Sequence, residues 1–313
     1  MKNLTRKMIT AGMAATMAAS LGIAANAEEA SYKVGICQLI QHEALDAATQ
    51  GFQDALTEKL GDRVEFDVQN ASGESVNCST IINGFVSDQV DLILANATGA
   101  LQAAVAGTSD IPILGTAVTD YATALDIDDW TGTVGGNVSG TSDCAPLDQQ
   151  AAMILELVPE AKTVGMLYCS AEPNSEYQVN VVTEALKELN PDLEIKNYTF
   201  ADSNDISSVA TSATECDVVY IPTDNTAANN TEAINNVMEP AGVPVIAGEA
   251  GICQGCGIAT LSISYYDLGY TTGEMAYEIL EEGADISTME VQYAPNVTKQ
   301  YMADRCEKLG ITV

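Results

Sequence analysis

The chain has 313 residues and a formal net charge of −32, with 44 acidic and 12 basic residues. This length allows one large or two ordinary domains, each with a sizeable core. The acidic balance excludes a surface that attracts nucleic acid or anionic lipid, because both are themselves negatively charged.

The first 27 residues have the pattern of a secretory signal peptide. Lys2, Arg6 and Lys7 precede an Ala- and Met-rich apolar run that ends in Ala-Asn-Ala at 25–27. The run is weakly hydrophobic for a membrane span, so we favour export with cleavage over a retained anchor. No cysteine lies near the cleavage site, so lipid attachment is not indicated, and we expect a periplasmic, extracellular or cell-surface location.

From residue 34 onward, short apolar runs alternate with amphipathic stretches. The runs have four to eight residues and are rich in Val and Ile, which is typical of strands buried on both faces. The stretches 43–61 and 174–191 have apolar residues at helical spacing, and they end at Gly61 and at Asn190-Pro191. This alternation predicts an α/β fold with doubly wound parallel sheets and right-handed crossovers.

Three landmarks recur in the same order in the two halves of the chain. "VGICQL" at 34–39 resembles "VGMLYC" at 164–169, "VDLILANATGA" at 90–100 resembles "CDVVYIPTDNT" at 216–226, and "IPILGTAV" at 111–118 resembles "VPVIAGEA" at 243–250. The offsets lie between 126 and 132 residues, which indicates an internal duplication. We therefore predict two similar lobes.

Two stretches are candidates for crossing between the lobes. A Gly- and Ser-rich stretch at 131–146 leaves the first lobe, and 258–269 returns to it before a last helix at 268–282. After about residue 291 we expect an extended piece and a short helix at 298–309. The predicted N-terminal lobe is 31–140 completed by 268–290, and the predicted C-terminal lobe is 141–265 completed by 291–313. Several crossings make a multi-strand hinge.

Small polar and acidic residues gather where the predicted strands end. In open α/β sheets, ligands bind outside the carboxyl ends of the strands, so these residues are expected to face one cleft from both lobes. The candidate ligand-binding residues are Gln41, His42, Asn96, Thr98, Thr116, Thr119, Asp120, Ser142, Asp143, Glu172, Asn174, Ser175, Thr223, Asp224, Asn225 and Glu249.

Structural roles compete with ligand binding at single positions. Taken alone, Thr98, Asn174 and Asn225 suit helix caps, Asp143 suits a helix start, and the single histidine, His42, suits a satisfied polar group. The recurrence of such groups at six strand ends favours a binding site.

This set of groups suits a small zwitterion. The hydroxyls and N–H groups of Thr98, Thr141 or Ser142 would hold a carboxylate, and a buried Asp224, Asp143 or Glu172 would hold an ammonium. The sequence contains no G-x-S-x-G, H-E-x-x-H, Walker A or early G-x-G-x-x-G motif. We therefore predict no catalytic residue, no resident metal and no cofactor.

Two motifs rich in thiols or carboxylates are better explained by structural roles than by metal binding or redox chemistry. "CQGC" at 253–256 sits among glycines in a predicted loop, where a local disulfide or free thiols are favoured over a redox or zinc site. The eight cysteines permit disulfides, whose pairing the sequence leaves open. The acidic residues at 126–129 are predicted to form a solvated loop.

Several stretches together resemble a known family. They include "TAVTD" at 116–120, "GTSD" at 140–143, "PTDN" at 222–225 and "SISYYDLGYTTGEMA" at 262–276, in order along nearly the whole chain after the leader. The chain resembles the substrate-binding proteins of ABC transporters with the type I periplasmic-binding-protein fold, specifically the tryptophan/tyrosine-binding branch. It departs from the family pattern at Gln41, where an acidic residue is common.

The resemblance implies a monomeric two-lobed receptor. Such a receptor closes on an amino acid, most often an aromatic one, and delivers it to a membrane permease with a cytoplasmic ATPase. It also implies that the cleft is lined or supported by Thr98, Thr119, Asp120, Ser142, Asp143, Asn174, Ser175, Asp224, Asn225 and Glu249. Asp224 is the first candidate for the partner of the ligand's cationic end.

Two other functions remain open on the residues alone. A secreted α/β enzyme would need His42 or a thiol for turnover. A receptor for a chemosensory or sensor-kinase partner would present the same closed lobes. A sugar-sensing repressor is disfavoured, because no helix-turn-helix or basic face is present.

Overall fold

The structure is a computed structural model that describes residues 31–294 and 296–313, so the predicted signal peptide lies outside the described residues. The first half of the chain alternates strands with helices as the sequence predicts. Its elements are β1 Tyr32–Gln38, α1 Glu43–Leu60, β2 Val64–Asn70, α2 Ser75–Ser87, β3 Leu92–Asn96, α3 Thr98–Gly107, β4 Ile113–Val118, α4 Tyr121–Ala124 and β5 Val138–Ser142.

The second half repeats this plan. Its elements are α5 Leu147–Leu157, β6 Thr163–Cys169, α6 Pro173–Leu189, β7 Glu194–Phe200, α7 Ile206–Ala213, β8 Val218–Ile221, α8 Asn225–Ala228, α9 Thr231–Ala241, β9 Val245–Ala247, α10 Ala250–Cys256 and β10 Ala259–Ile263. The chain then continues through α11 Tyr265–Leu280, β11 Gln292–Tyr293, β12 Val297–Tyr301 and α12 Ala303–Leu309. Short 3-10 turns occur at Gly61–Arg63 and Ile286–Thr288.

Across the described ranges, the strands pair into two six-stranded sheets. The first has the order β11-β5-β4-β3-β1-β2 and the second has the order β12-β10-β9-β8-β6-β7. Every pairing is parallel except β10 with β12, which is antiparallel. The carboxyl ends of β1, β3 and β4 therefore share one edge of the first sheet, and those of β6, β8 and β9 share one edge of the second.

The central strands are buried on both faces because helices cover each side of the sheet. β3, β4, β8 and β9 are buried along their whole length, as their continuous apolar runs predict. The alternating α/β architecture with two doubly wound, mainly parallel sheets is confirmed.

Helix α11 joins the first lobe through close packing on α1. A Cβ atom at Gly269 would lie 1.9 Å from the Ala48 carbonyl oxygen, and one at Gly51 would lie 2.1 Å from the Tyr266 carbonyl oxygen. The two helix backbones therefore approach at positions that only glycine permits. This packing brings the chain back to the first lobe after β10.

The chain passes between the sheets after β5, after β10 and between β11 and β12. The pairings place 141–142 and 292–293 in the first sheet, since Gln292 pairs with Thr141 and Tyr293 with Ser142. The boundaries expected from sequence assigned both segments to the second lobe. Backbone pairing, which composition does not reveal, determines the sheet to which these few residues belong.

Two local predictions were wrong. Residues 298–301, expected in a helix, belong to β12, where Thr298 pairs with Ser262 and Tyr301 pairs with Ala259. "CQGC" lies at the end of helix α10 instead of in a loop, because the Arg305 guanidinium donates to the carbonyls of Cys253, Gln254, Gly255 and Gly257 and so satisfies the helix end.

The cysteines of the described chain are free thiols, and all except the half-buried Cys144 are buried. Asp126, Asp128 and Asp129 are exposed in the loop after α4, as predicted. No helix within residues 31–294 and 296–313 is both long and apolar enough to cross a membrane.

Candidate functional site

A cavity lies between the lobes, at the carboxyl ends of strands from both sheets. Its cavity volume is about 10 Å³, within about 270 Å³ of non-atom space that includes open solvent. Its lining is His42, Leu45, Ala117, Thr119, Asp143, Asn174, Thr223, Asp224, Asn225, Ala228, Glu249 and Tyr265. The arrangement brings together eight of the sixteen residues that the sequence analysis selected.

Asp143 follows β5, in the first segment that crosses between the lobes. Its side chain is 4 % exposed, and its Oδ2 accepts a hydrogen bond of 2.8 Å from the Tyr265 hydroxyl. Its Oδ1 has no hydrogen-bond partner within the part of the chain that the structure describes. Burial raises the pKa of Asp143, and the nearby donors of Tyr265, of the Thr119 side chain and of the Asp143 backbone oppose that shift. The buried Oδ1 lone pairs therefore call for a donor.

Asp224 follows β8 and is the N-cap of α8. Its Oδ1 accepts from Ala227 N at 2.7 Å, and its Oδ2 accepts from Cys169 N at 2.7 Å and from Ser175 Oγ at 2.8 Å. Burial and the nearby Glu172 charge raise the pKa of Asp224 to about 8, although these three bonds act in the opposite direction. Both of its oxygens already have donors from the second lobe, so Asp143 replaces it as the first candidate for an ammonium.

Glu172 organises the loop that carries Asn225. Its Oε2 accepts from the backbone and side-chain nitrogens of Asn225, and its Oε1 accepts from the backbone nitrogen and hydroxyl of Thr226. The four bonds are 2.7–3.0 Å long. Glu172 thus holds Asn225 in place through hydrogen bonds but does not itself line the cavity.

Glu249 closes the cavity at the carboxyl end of β9. It is 3 % exposed and caps α10 by accepting from the backbone nitrogens of Gly251 and Ile252. Burial raises the pKa of Glu249 to about 7, and the charges of Glu43 and Asp143 add to the shift.

One hydrogen bond within the cavity lining joins the two lobes directly. His42 Nε2 lies 3.1 Å from Asn225 Oδ1, and Asn225 donates through its Nδ2 to Glu172. In this arrangement His42 Nε2 carries the proton and donates it to Asn225. Burial lowers the pKa of His42, which favours the neutral ring.

The helix-cap alternative considered for Thr98, Asn174 and Asn225 does not describe their positions. The N-cap positions are Ala97, Glu172 and Asp224, one or two residues before Thr98, Asn174 and Asn225. Asn174 instead donates to the Thr223 carbonyl oxygen at 3.1 Å, which ties α6 to the loop after β8. Asp143 lies four residues before α5 and does not start that helix.

The other selected residues lie outside the cavity lining. Gln41 is exposed, and Thr98 is buried in the first turn of α3. Asp120 caps α4 by accepting from Thr123 N, and Ser175 supports Asp224.

Three further selected side chains hold the first lobe together. Asn96 donates to the Leu45 carbonyl and to Thr49 Oγ1, which fixes α1 on β3. Thr116 Oγ1 lies 3.2 Å from Thr141 Oγ1, and Ser142 donates to the Thr119 carbonyl. The carboxylate anchor expected at Thr98, Thr141 or Ser142 is therefore not at the cavity surface.

Sequence reasoning missed Tyr265 and the apolar lining. Tyr265 directly follows β10 in the second crossing, so its place after a strand was an available signal. Leu45, Ala117 and Ala228 carry no polar group to mark them, and only the fold places them at the cavity. They give the cavity an apolar wall.

Charge at the cavity is one-sided. Three carboxyl groups line it, and within the described ranges no lysine or arginine does so. Among those residues, no group of three His, Cys, Asp or Glu side chains is placed to hold a metal ion. The arrangement suits a small ligand that offers a cationic donor and an apolar part.

Comparisons with known proteins agree with this geometry. Residues 33–313 match the family model described as ABC transporter substrate binding protein. The chain is 37% identical over 252 residues to a tyrosine-binding protein of Clostridioides difficile, a match that covers 79% of this chain and 72% of that protein.

Two solved structures differ in their ligand state. One is an ABC domain in complex with L-Trp from Streptococcus pneumoniae, with a TM-score of 0.85 and 30% identity. The other is a ligand-free, open substrate-binding protein with adhesive properties from Clostridium difficile, with a TM-score of 0.68 and 35% identity. Each match covers 90% of this chain and 96% of the other. The TM-score is lower for the relative with the higher identity.

Proposed function

The chain belongs to the family of ABC transporter substrate-binding proteins, and we propose that it captures an aromatic amino acid between its two lobes for delivery to an ABC permease. Its fold is the type I periplasmic-binding-protein fold, and it is a binding protein and not an enzyme. The proposal therefore concerns the ligand, its anchoring and its destination.

Asp143 Oδ1 is the observation that carries the proposal. A buried carboxylate oxygen without a donor is costly, and a ligand ammonium supplies both the donor and the opposite charge. The Tyr265 hydroxyl on Oδ2 holds the carboxylate so that Oδ1 remains available. An α-amino group at Asp143 satisfies this requirement.

The apolar lining supports a ligand with a hydrophobic side chain. Leu45, Ala117 and Ala228 add small and aliphatic surface, and the Tyr265 ring adds an aromatic face. The relatives that bind tyrosine and L-Trp favour an aromatic side chain in this space. The Thr119 and Thr223 hydroxyls in the lining are neutral donors for the ligand carboxylate in this proposal.

Substrate-binding proteins of ABC transporters act outside the cytoplasm. We place this chain there as an exported protein whose predicted leader is 1–27. In this proposal, the closed form docks as a monomer on a permease that works with a cytoplasmic ATPase. The His42–Asn225 bond between the lobes supports closure as the state that is passed on.

A calorimetric ligand panel tests the proposal directly. The protein beginning at Glu28 is titrated with tryptophan, tyrosine and phenylalanine, and with leucine, alanine and glutamate as controls. Tight binding of an aromatic amino acid with negligible binding of glutamate is expected, because a second carboxylate would enter an acid-lined cavity. Binding restricted to leucine, or to none of the amino acids, would remove the aromatic proposal.

A further inference from the structure

The cavity lining carries three carboxyl groups, and its neutral hydroxyl donors are those of Thr119 and Thr223. The His42 ring donates to Asn225 Oδ1, the Asn225 amide donates to Glu172, and the Tyr265 hydroxyl donates to Asp143. The Asn174 amide donates to the Thr223 carbonyl. These polar side chains thus use their protons within the protein, whereas Asp143 Oδ1 is an acceptor without a donor.

The two ends of an amino acid meet different conditions in such a cavity. The ammonium finds Asp143 Oδ1. The carboxylate finds no lysine or arginine in the lining that the structure describes, and it must approach while Asp224 and Glu249 also line the space. A buried negative charge beside other carboxyl groups is penalised by both desolvation and repulsion.

We propose that the cavity also binds aromatic primary amines that lack a carboxylate, with the ammonium on Asp143 Oδ1 and the ring against the apolar wall. This inference rests on the proposed function, since it uses the same cavity and the same aromatic space. It extends the ligand class from aromatic amino acids to their decarboxylated counterparts.

The pH dependence of the two ligand types should differ. Asp224 faces Glu172 and the Cys169 thiol, Glu249 faces Glu43 and Asp143, and their pKa values are raised to about 8 and about 7. As the pH rises through this range, these two groups lose protons and the cavity becomes more negative. The affinity for an amine should therefore rise relative to the affinity for the matching amino acid.

The other titratable groups around the cavity do not reverse this trend. The neutral form of His42 is favoured, with Glu172, Asp46 and Glu43 as its charged neighbours. Burial and the Asp143 charge raise the pKa of Tyr265 well above its usual value, so its proton stays in place.

Calorimetry with three ligand series tests the inference. The probes are tyramine and tryptamine, the amino acids tyrosine and tryptophan, and the deaminated acids 3-(4-hydroxyphenyl)propionate and indole-3-propionate. We expect amines to bind within about tenfold of the amino acids at pH 7, and the deaminated acids to bind at least about 100-fold more weakly. The amino-acid-to-amine ratio of Kd should rise between about pH 6 and pH 9.

Each outcome has a distinct meaning. Amino acids that bind while both amines bind more than about 100-fold more weakly would overturn the inference and leave the proposed function intact. Amines that bind while the amino acids do not would uphold the amine class and overturn the proposed function. Failure of every aromatic probe would overturn both.

Two variants locate the effect. Asp143→Asn should weaken amines and amino acids together, and equal amine affinity in this variant would overturn the inference. Glu249→Gln removes one cavity charge, so the amino-acid-to-amine ratio of Kd should fall at about pH 9. An unchanged ratio in a folded Glu249→Gln protein, checked by circular dichroism, would count against the charge argument.

Discussion

Asp143 and Asp224 face the same cavity from different parts of the molecule, and their surroundings differ sharply. Asp224 receives three donors from the second lobe, whereas Asp143 receives one donor from Tyr265 and keeps one oxygen without a partner. With similar burial and identical chemistry, one carboxylate has donors on both oxygens, and the other keeps an acceptor that we propose is used by the ligand.

The largest expected effect comes from replacing the ligand-facing member of this pair. Asp143→Asn should weaken binding of the preferred amino acid by at least about 100-fold, because it removes the charge opposite a buried ammonium. Isothermal titration calorimetry measures the change. The matched control is Asp148→Asn, a change at an exposed aspartate five residues along the chain.

The two substitutions should differ in their effect on stability, with the larger loss at Asp224. Asp143→Asn should change the free energy of unfolding by less than about 1 kcal/mol, since the amide oxygen can still accept from Tyr265. A large loss of stability in this variant would mean that Asp143 is a structural residue, and its affinity change would then lose its meaning.

Asp224→Asn should destabilise the fold by about 1–3 kcal/mol. Its amide oxygen can accept from only one side, so the Cys169 or Ala227 N–H would face an amide donor. Urea unfolding monitored by circular dichroism measures the loss.

Asp217→Asn is the matched control for the second lobe. Asp217 also receives three donors, from Lys162 N, Thr163 N and the Thr163 hydroxyl, but it lies outside the cavity lining. The Asp217→Asn protein should be less stable than the parent protein but should bind the ligand with the same affinity. If Asp224→Asn is as stable as the parent protein, the lobe-building role of Asp224 is excluded.

The raised pKa values of two cavity carboxyl groups predict how the stability of the fold depends on pH. The pKa values of Asp224 and Glu249 are raised to about 8 and about 7 in the folded protein, above the values of about 4 expected in the unfolded chain. The folded state then binds more protons than the unfolded state between these limits, so stability falls as the pH rises through this window.

Melting temperatures at about pH 5 and about pH 8 test this window. The decrease should be smaller in Glu249→Gln than in the parent protein. Asp217 provides a contrast, because hydrogen bonds lower its pKa and its contribution is lost only in acid. An identical decrease in Glu249→Gln and the parent would contradict a role for Glu249.

The smallest expected effect concerns the contact between the lobes. His42→Ala removes the hydrogen bond to Asn225 and should weaken ligand binding by about three- to tenfold, the value of one neutral hydrogen bond. Calorimetry gives the affinity, and small-angle scattering with saturating ligand reports the lobe arrangement. Unchanged affinity would show that this bond is dispensable for closure.

Much of the architecture could be predicted because it depends on local patterns. Buried parallel strands require continuous apolar runs, and α1 and α6 end where Gly61 and Asn190 end the sequence pattern. The segment 298–301 could not be assigned correctly, since its five-residue strand exists only through pairing with β10. Eight cavity-lining residues could be selected because they lie in the segments that follow strands.

The sequence by itself determined the duplicated α/β plan, the acidic character and the polar residues that follow the strands, because periodicity and strand order are local properties of the chain. Only the tertiary structure decided which carboxylate keeps an open acceptor, since that depends on donors distant in sequence. Tyr265 reaches Asp143 across 122 residues, and Cys169 reaches Asp224 across 55. Whether each carboxylate oxygen has a donor depends on the assembled lobes, so no single stretch of sequence reveals it.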